Sequence, residues 1–378
     1  MDQTRIEFLY LSEPDMIRAG VTDMAGCVEA MEQTLELLRR GDYRMAGANN
    51  ASHGAMIGFP QHSPFPSMPK PTADRRFMAM PAYLGGPFGT TGVKWYGSNI
   101  ANRGKGLPRS ILMFLLNDTD TGAPLALMSA NLLSAYRTGA IAGVGARYFA
   151  RPDSRVVGIL GPGVMATTTL SALIVACPGI DTVKIKGRGR NSIENFRLWL
   201  AEHHPQITAV HEVETLEEVV RDSDIVTFCT SGGAVPPSAY HTVRREWVKP
   251  GAFLAMPAQC GMDEGMEAPE IRKVVDFIEM YDAWAEEFPK PLHAAVPVIG
   301  CRFLDMIDEG VLERAAIDDL SSIVGGGSGG RRSDDEIAIM SIGGLPVEDV
   351  AWATVIYRNA FERGIGQRLT LWDAPVLR

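Results

Sequence analysis

Hydrophobic and polar positions follow one rhythm in the first 150 residues of this chain and another after them. Residues 6 to 10 read as a short strand, and Ser12-Glu13-Pro14 as a helix cap with proline in the first turn. Met24 to Arg39 carries Val28, Met31, Leu35 and Leu38 at helical spacing and predicts an amphipathic helix. Phe77 to Leu84, Gly92 to Tyr96, Ser110 to Leu116 and Leu125 to Met128 alternate as strands do, and Gly-Gly, Arg-Gly-Lys-Gly and Asp-Thr-Asp-Thr-Gly turns separate them. In Val93-Lys94-Trp95-Tyr96 the alternation places Lys94 and Tyr96 on one face, and Val93 and Trp95 on the other. Asn131 to Ala150 predicts a helix whose Ala140, Ala142, Gly143, Gly145 and Ala146 imply close packing. Arg137 lies inside it and requires an anionic partner or solvent. The stretch 44 to 73 is rich in Gly, Pro, Ser and Asn and has no period, which predicts a long loop, either a folded lid or an interface arm.

Beyond residue 150 helix and strand patterns alternate. Val156, Val157, Ile159 and Leu160 form an apolar run that enters Gly161-Pro162-Gly163-Val164-Met165-Ala166; a helical segment follows to Cys177, then a strand around Val183 and Ile185. Gly161 allows the turn, Gly163 lets the backbone approach phosphates, and Ala166 keeps helix and strand close, while Val164 and Met165 open the helix on whose N-terminus a pyrophosphate sits. Ser192 to His203 and Leu216 to Arg221 read as helices. Ile207 to Val210, Asp224 to Thr230, Gly251 to Pro257 and Val274 to Met280 read as strands, which together predict an α/β, Rossmann-type doubly wound sheet. Thr230-Ser231-Gly232-Gly233 ends one strand and should lie beside the cofactor. The glycine run 325 to 330 reads as a flexible hinge. Pro346 to Arg363 reads as a final helix with Glu348 and Asp349 favourably placed in its first turn.

The end of the second nucleotide strand narrows the cofactor. Lys184, Lys186, Arg188 and Arg190 occupy the region where an NAD site usually has an acid, and no carboxylate appears before Glu194. Guanidinium groups pair with a 2′-phosphate in bidentate fashion, so NADP(H) is favoured over NAD(H), with Arg188 and Arg190 as the contacts. The plainer alternative is a set of solvated charges at a strand end.

Composition changes the picture only by exclusion. The 378 residues, 46% hydrophobic and 21% charged, suffice for two domains. A net charge of −9 argues against general nucleic-acid binding, and no HxxxH or clustered acid pattern points to a metal. The five cysteines are scattered without CxxC spacing, which fits reduced thiols in a cytoplasmic protein. No basic, then apolar N-terminal segment suggests a signal peptide, and no apolar stretch reaches 18 residues, so a soluble chain is expected.

The order of segments resembles the ornithine cyclodeaminase and mu-crystallin family. The matching stretches are MPAYLGG (80 to 86), GVKW (92 to 95), RGKGLPRSILMFLLNDTDTGAPLALM (103 to 128), SAYRTGA (134 to 140), GILGPGVMA (158 to 166), GRRSDDEI (330 to 337) and SIGGLPVEDVAWA (341 to 353). The resemblance implies a nucleotide domain, residues 149 to 329, inserted into a discontinuous α+β substrate-binding and dimerisation domain, 1 to 148 with 330 to 378. It implies that Lys94 and Arg137 bind a substrate carboxylate, with Arg44 as an earlier arginine, and that Arg188 reads the NADP phosphate. Gly161, Gly163, Val164, Met165, Arg190, Thr230 and Ser341 complete the expected cofactor contacts. The implied activity is an NAD(P)(H)-dependent oxidoreductase at the C–N bond of an amino or imino acid, acting as a homodimer. The alternatives are a cyclodeaminating lyase and a nucleotide-binding accessory subunit without activity.

One departure bears on that choice. Where the ornithine-cyclising members carry an aspartate after the Pro-Gly strand, here Pro250 to Met256, the sequence has Cys260, with Asp263 three residues on. Asp263 is then the candidate acid/base beside Lys94. Plainer readings are a buried thiol for Cys260, a solvated loop acid for Asp263, an exposed strand lysine for Lys94 and a helix-surface ion pair for Arg137.

Overall fold

A computed structural model describes residues 4–72, 74–230, 235–326 and 329–377. It divides into two compact units: Met1–Asp23, Arg40–Ser134 and Leu345–Arg378 make the first, and Met24–Arg39 with Ala135–Gly344 the second.

The first unit is built on an eight-stranded sheet. Its order runs Gln367–Trp372, Ile6–Leu11, Pro124–Ser129, Ser110–Asp118, Thr90–Ser98, Arg76–Leu84, Tyr43–Met45, and the short strand Ala55–Ile57 also pairs with Arg76–Leu84. Neighbours are antiparallel except Ile6–Leu11 beside Pro124–Ser129. The period of two is kept strictly: Met78, Met80, Ala82 and Leu84 are buried, as are Lys94 and Tyr96 on the next strand. That face is covered by the helix Pro346–Glu362, whose Thr354 hydroxyl lies 2.6 Å from that of Thr90. Proline at its start and acids in its first turn explain where this helix begins. The region 44 to 73, expected to be without regular structure, contributes the two short strands Tyr43–Met45 and Ala55–Ile57. They form because the long strand 76–84 offers them backbone partners that no local pattern announces.

The second unit holds an eight-stranded, wholly parallel sheet in the order Ala209–Glu212, Thr182–Lys186, Val156–Leu160, Ile225–Phe228, Phe253–Met256, Ala338–Ser341, Arg272–Val275, Ile317–Asp319. The four residues of each of the strands 225–228, 253–256, 272–275 and 338–341 are all buried, as expected of strands covered on both faces. The small residues of the helix Asn131–Phe149 serve the packing foreseen for them: a Cβ on Gly139 would meet the Thr168 backbone at 2.6 Å, so the helix Val164–Ala176 lies directly against it. All five cysteines are buried. Among the described residues no helix is long and apolar enough to cross a membrane.

Three expectations change here. The strand expected over 274 to 280 ends at Val275, and a helix, Ile278–Glu287, begins three residues later, where Asp319 accepts from the Ile278 backbone. The glycine run is not a free hinge where it is described: Gly325 O accepts from Arg39, and Gly329 and Gly330 oxygens accept from Arg272 at 3.3 and 2.6 Å. Gly327 and Ser328 lie outside the described residues. The boundary at 329/330 also differs from the observed division, because Ala338–Ser341 is an inner strand of the parallel sheet and groups 330 to 344 with it; the earlier boundary falls at Ser134/Ala135, inside the helix Asn131–Phe149, and not at 148/149.

Candidate functional site

The glycine turn stands at the switch point of the parallel sheet, since Val156–Leu160 is flanked by Thr182–Lys186 and Ile225–Phe228 and their connections leave in opposite directions. Gly161 has φ +88°, and a Cβ there would come within 3.0 Å of the Thr230 backbone. Its N–H donates to Lys186 O at 2.8 Å, which locks the turn to the end of the second strand. Gly163 caps the following helix without a side-chain cap bond, and space is open where its Cβ would point. The first N–H groups of a 13-residue helix are thus presented beside Val164, which is 67% exposed, and half-buried Met165. Such a helix start suits an anionic group. Residues 231 to 233, expected beside the cofactor with Thr230, lie outside the described residues.

The basic residues after the second strand separate into two kinds. Lys184 and Lys186 reach backbone oxygens of Arg221 and Glu214 and so serve the fold. Arg188 and Arg190 are exposed on either side of Gly189, the cap of the helix Arg190–His203. Burial, and then the charges of Arg188 and Lys186, hold His241 below the usual histidine range, a sign of a positive field at this strand end.

Lys94 is 2% exposed, not a surface lysine. Its Nζ donates to Asp349 Oδ2 at 2.7 Å and to Ser134 Oγ at 3.2 Å. Asp349 and Glu348, expected as helpful first-turn acids, are fully buried instead, because the face of the helix that carries Asp349 turns towards the sheet. Arg137 is likewise buried, and its guanidinium lies against Gly344: a Cβ there would sit 2.6 Å from Nη1. The Gly343 and Gly344 N–H groups donate to Asp276, whose carboxyl burial nonetheless pushes up.

Three expected site residues have other surroundings than Lys94. Arg44 is exposed and sits opposite Tyr83, itself opposite Thr91, so it occupies the sheet face that Lys94 does not. A one-residue change of face is the whole difference, and it is set by pairing register. Asp263 accepts from the backbone of Met266 at 2.9 Å and Arg245 at 3.1 Å, capping the short helix Glu264–Glu267, which is a structural task. Ser341 is completely buried, and its hydroxyl accepts from Gly300 N at 2.8 Å and Tyr281 at 2.9 Å. Cys260 is fully buried and burial pushes its thiol far up, in keeping with an inert side chain. Asp349 was read only as a first-turn acid beside Glu348, and nothing in its helix marked it as the partner of Lys94.

A glycine turn at a helix start, in a parallel doubly wound sheet, defines a dinucleotide-binding class of protein. The chain belongs to the ornithine cyclodeaminase/mu-crystallin family, whose pattern matches residues 20–364. It is 31% identical to an alanine dehydrogenase of Archaeoglobus fulgidus over 299 residues, 77% of this chain and 82% of that one. It is 26% identical to the N-((2S)-2-amino-2-carboxyethyl)-L-glutamate dehydrogenase of Staphylococcus aureus, covering 97% and 99% of the two chains. Its fold is similar to that of the Δ1-pyrroline-2-carboxylate reductase of Thermococcus litoralis in complex with NADH and L-proline, with a TM-score of 0.76, 26% identity, and coverage of 95% and 99%.

Proposed function

We propose that this protein is an NADP(H)-linked oxidoreductase acting at the C–N bond of an amino or imino acid. The observation that carries the reading is the buried Lys94–Asp349 pair. A lysine held away from water costs stability, and such groups are kept where chemistry uses them. Three relatives named as dehydrogenases or reductases of amino and imino acids support the reaction class.

The residues fit a dinucleotide. Gly161, Gly163 and the helix start after Val164 would hold the pyrophosphate, Thr230 would border the turn, and Arg188 with Arg190 would pair with the 2′-phosphate. Bound nicotinamide supplies or takes the hydride at the carbon next to nitrogen.

The chain's own groups do the rest. Lys94 and Arg137 hold the substrate carboxylate. Fixing the carboxylate orients the C–N bond, which by itself lowers the barrier by several kcal/mol. Reduction of C=N adds one hydride to carbon and one proton to nitrogen, and oxidation removes both. The Lys94 ammonium is the group that gives the proton to nitrogen or stabilises it there, with Asp349 compensating its charge. Arg44 and Asp263 have no part in this scheme. The burial of Cys260 and the capping role of Asp263 leave that loop without the acid a cyclodeaminase would use, so net oxidoreduction is favoured over ammonia release. We further propose that the protein works as a homodimer.

NADPH consumption with a panel of cyclic ketimines, and of 2-oxo acids with amines, tests the activity. Turnover is expected with at least one member; none across the panel would overturn the reading. In the same assay Arg188→Ala should reduce the kcat/KM preference for NADPH over NADH by tenfold or more. An unchanged ratio would show that the phosphate is read elsewhere.

A further inference from the structure

On the buried face of the first unit's sheet, three cross-strand rows succeed one another along strands 76–84, 90–98 and 110–118. Met80, Lys94 and Phe114 form the first, Met78, Tyr96 and Leu112 the second, and Arg76, Ser98 and Ser110 the third. The long cations of the outer rows both lean on the middle one: Lys94 Nζ is 5.9 Å and the Arg76 guanidinium 6.0 Å from the centre of the Tyr96 ring. Arg76 and Arg109 share a single carboxylate, that of Asp74, which also accepts from Ser98 at 2.6 Å. Two guanidinium groups therefore face one anion. The side chains of Arg76 and Arg109 are 31% and 32% exposed, whereas Asp74 is 7% exposed, so the excess positive charge is the part that a solute can reach. Neither arginine figured in the expected site.

We propose that Arg76, with Arg109, forms a second anion subsite and that the substrate carries a second carboxylate. The inference rests on the placement of the first carboxylate at Lys94 under the proposed function. Met78, Tyr96 and Leu112 would line the connecting methylenes, and the arginine fork would take the distal carboxylate. The ligand class is a dicarboxylic amino or imino acid, with the second acid either in the side chain or on a group attached to nitrogen. Asp74 positions both forks.

Calorimetric titration of the NADP(H)-saturated protein separates these cases. L-Aspartate, L-glutamate and an N-(carboxyalkyl) amino acid are compared with L-alanine and L-norvaline. At least one diacid should bind about tenfold or more tightly than the monoacids, and which one does distinguishes the side-chain from the nitrogen-linked source. Arg76→Gln should shrink that ratio by about the same factor, and Arg76→Lys should restore part of it. A wild-type ratio near one, or a ratio that survives Arg76→Gln, would overturn the subsite, and the wild-type comparison decides even if the variant does not fold. Turnover in the same mixtures is a separate reading. A diacid bound preferentially but never oxidised supports the subsite while sinking the oxidoreductase, and monoacids oxidised as readily as diacids do the reverse.

Discussion

At the scale of the residue, the decisive arrangement is a buried cation in direct contact with a buried carboxylate. Lys94 and Asp349 are 2% and 0% exposed, so the pairing helps each buried charge to be tolerated. Asp349→Asn should remove a buried negative charge paired with the ammonium and cost about 3–5 kcal/mol in denaturant unfolding. The double variant Lys94→Met with Asp349→Leu should recover most of that stability yet remain inactive towards amino acids. Recovery of both, or of neither, would mean that the pair serves something other than substrate. The face of Lys94 was legible in the sequence, because alternation along one strand fixes it without reference to anything else. Asp349 was not, since a first-turn acid looks the same whether its helix shows it to water or to a sheet.

At the scale of the element, the glycine turn was read correctly from its flanking patterns, and the geometry explains why. Gly161 occupies a left-handed conformation with the Thr230 backbone 3.0 Å from where a Cβ would be. Gly161→Ala should therefore destabilise the fold by about 1–2 kcal/mol. It should also weaken the thermal stabilisation conferred by NADP(H), because the strained turn no longer presents the helix start; a variant with a full NADP(H) shift would refute the assigned role. Other elements escaped notice. Ala338–Ser341 has four residues, all buried, and Ile317–Asp319 three, partly buried, too few for a period to show. The apolar run at 274 to 280 satisfied a strand pattern and a helix pattern equally, and the contacts of Asp319 decide the break.

At the scale of the molecule, the outer face of the first unit's sheet is unusual. Phe77, Trp95, Ile111 and Met113 are 40%, 44%, 51% and 42% exposed and adjoin across three strands, with Phe77 and Trp95 stacked at 5.9 Å. A contiguous apolar face of this kind marks an association surface, and it supports the proposed homodimer. Light scattering at micromolar concentration should give twice the chain mass, and Trp95→Glu with Met113→Glu should halve it; a monomeric wild type would refute the dimer. What the sequence determined by itself is what short-range periodicity and backbone geometry encode: two kinds of sheet, the glycine turn, the basic strand end and the side of the strand that Lys94 takes. What only the tertiary structure decided joins residues remote along the chain. Lys94 meets a carboxylate 255 positions away, and Arg109 shares Asp74 with Arg76 across a gap of 35. Arg44 turns away because its strand pairs in one register and not the next. No local pattern carries such information, since each contact depends on how whole strands and helices pair and pack, and one residue of register exchanges the two faces of a sheet.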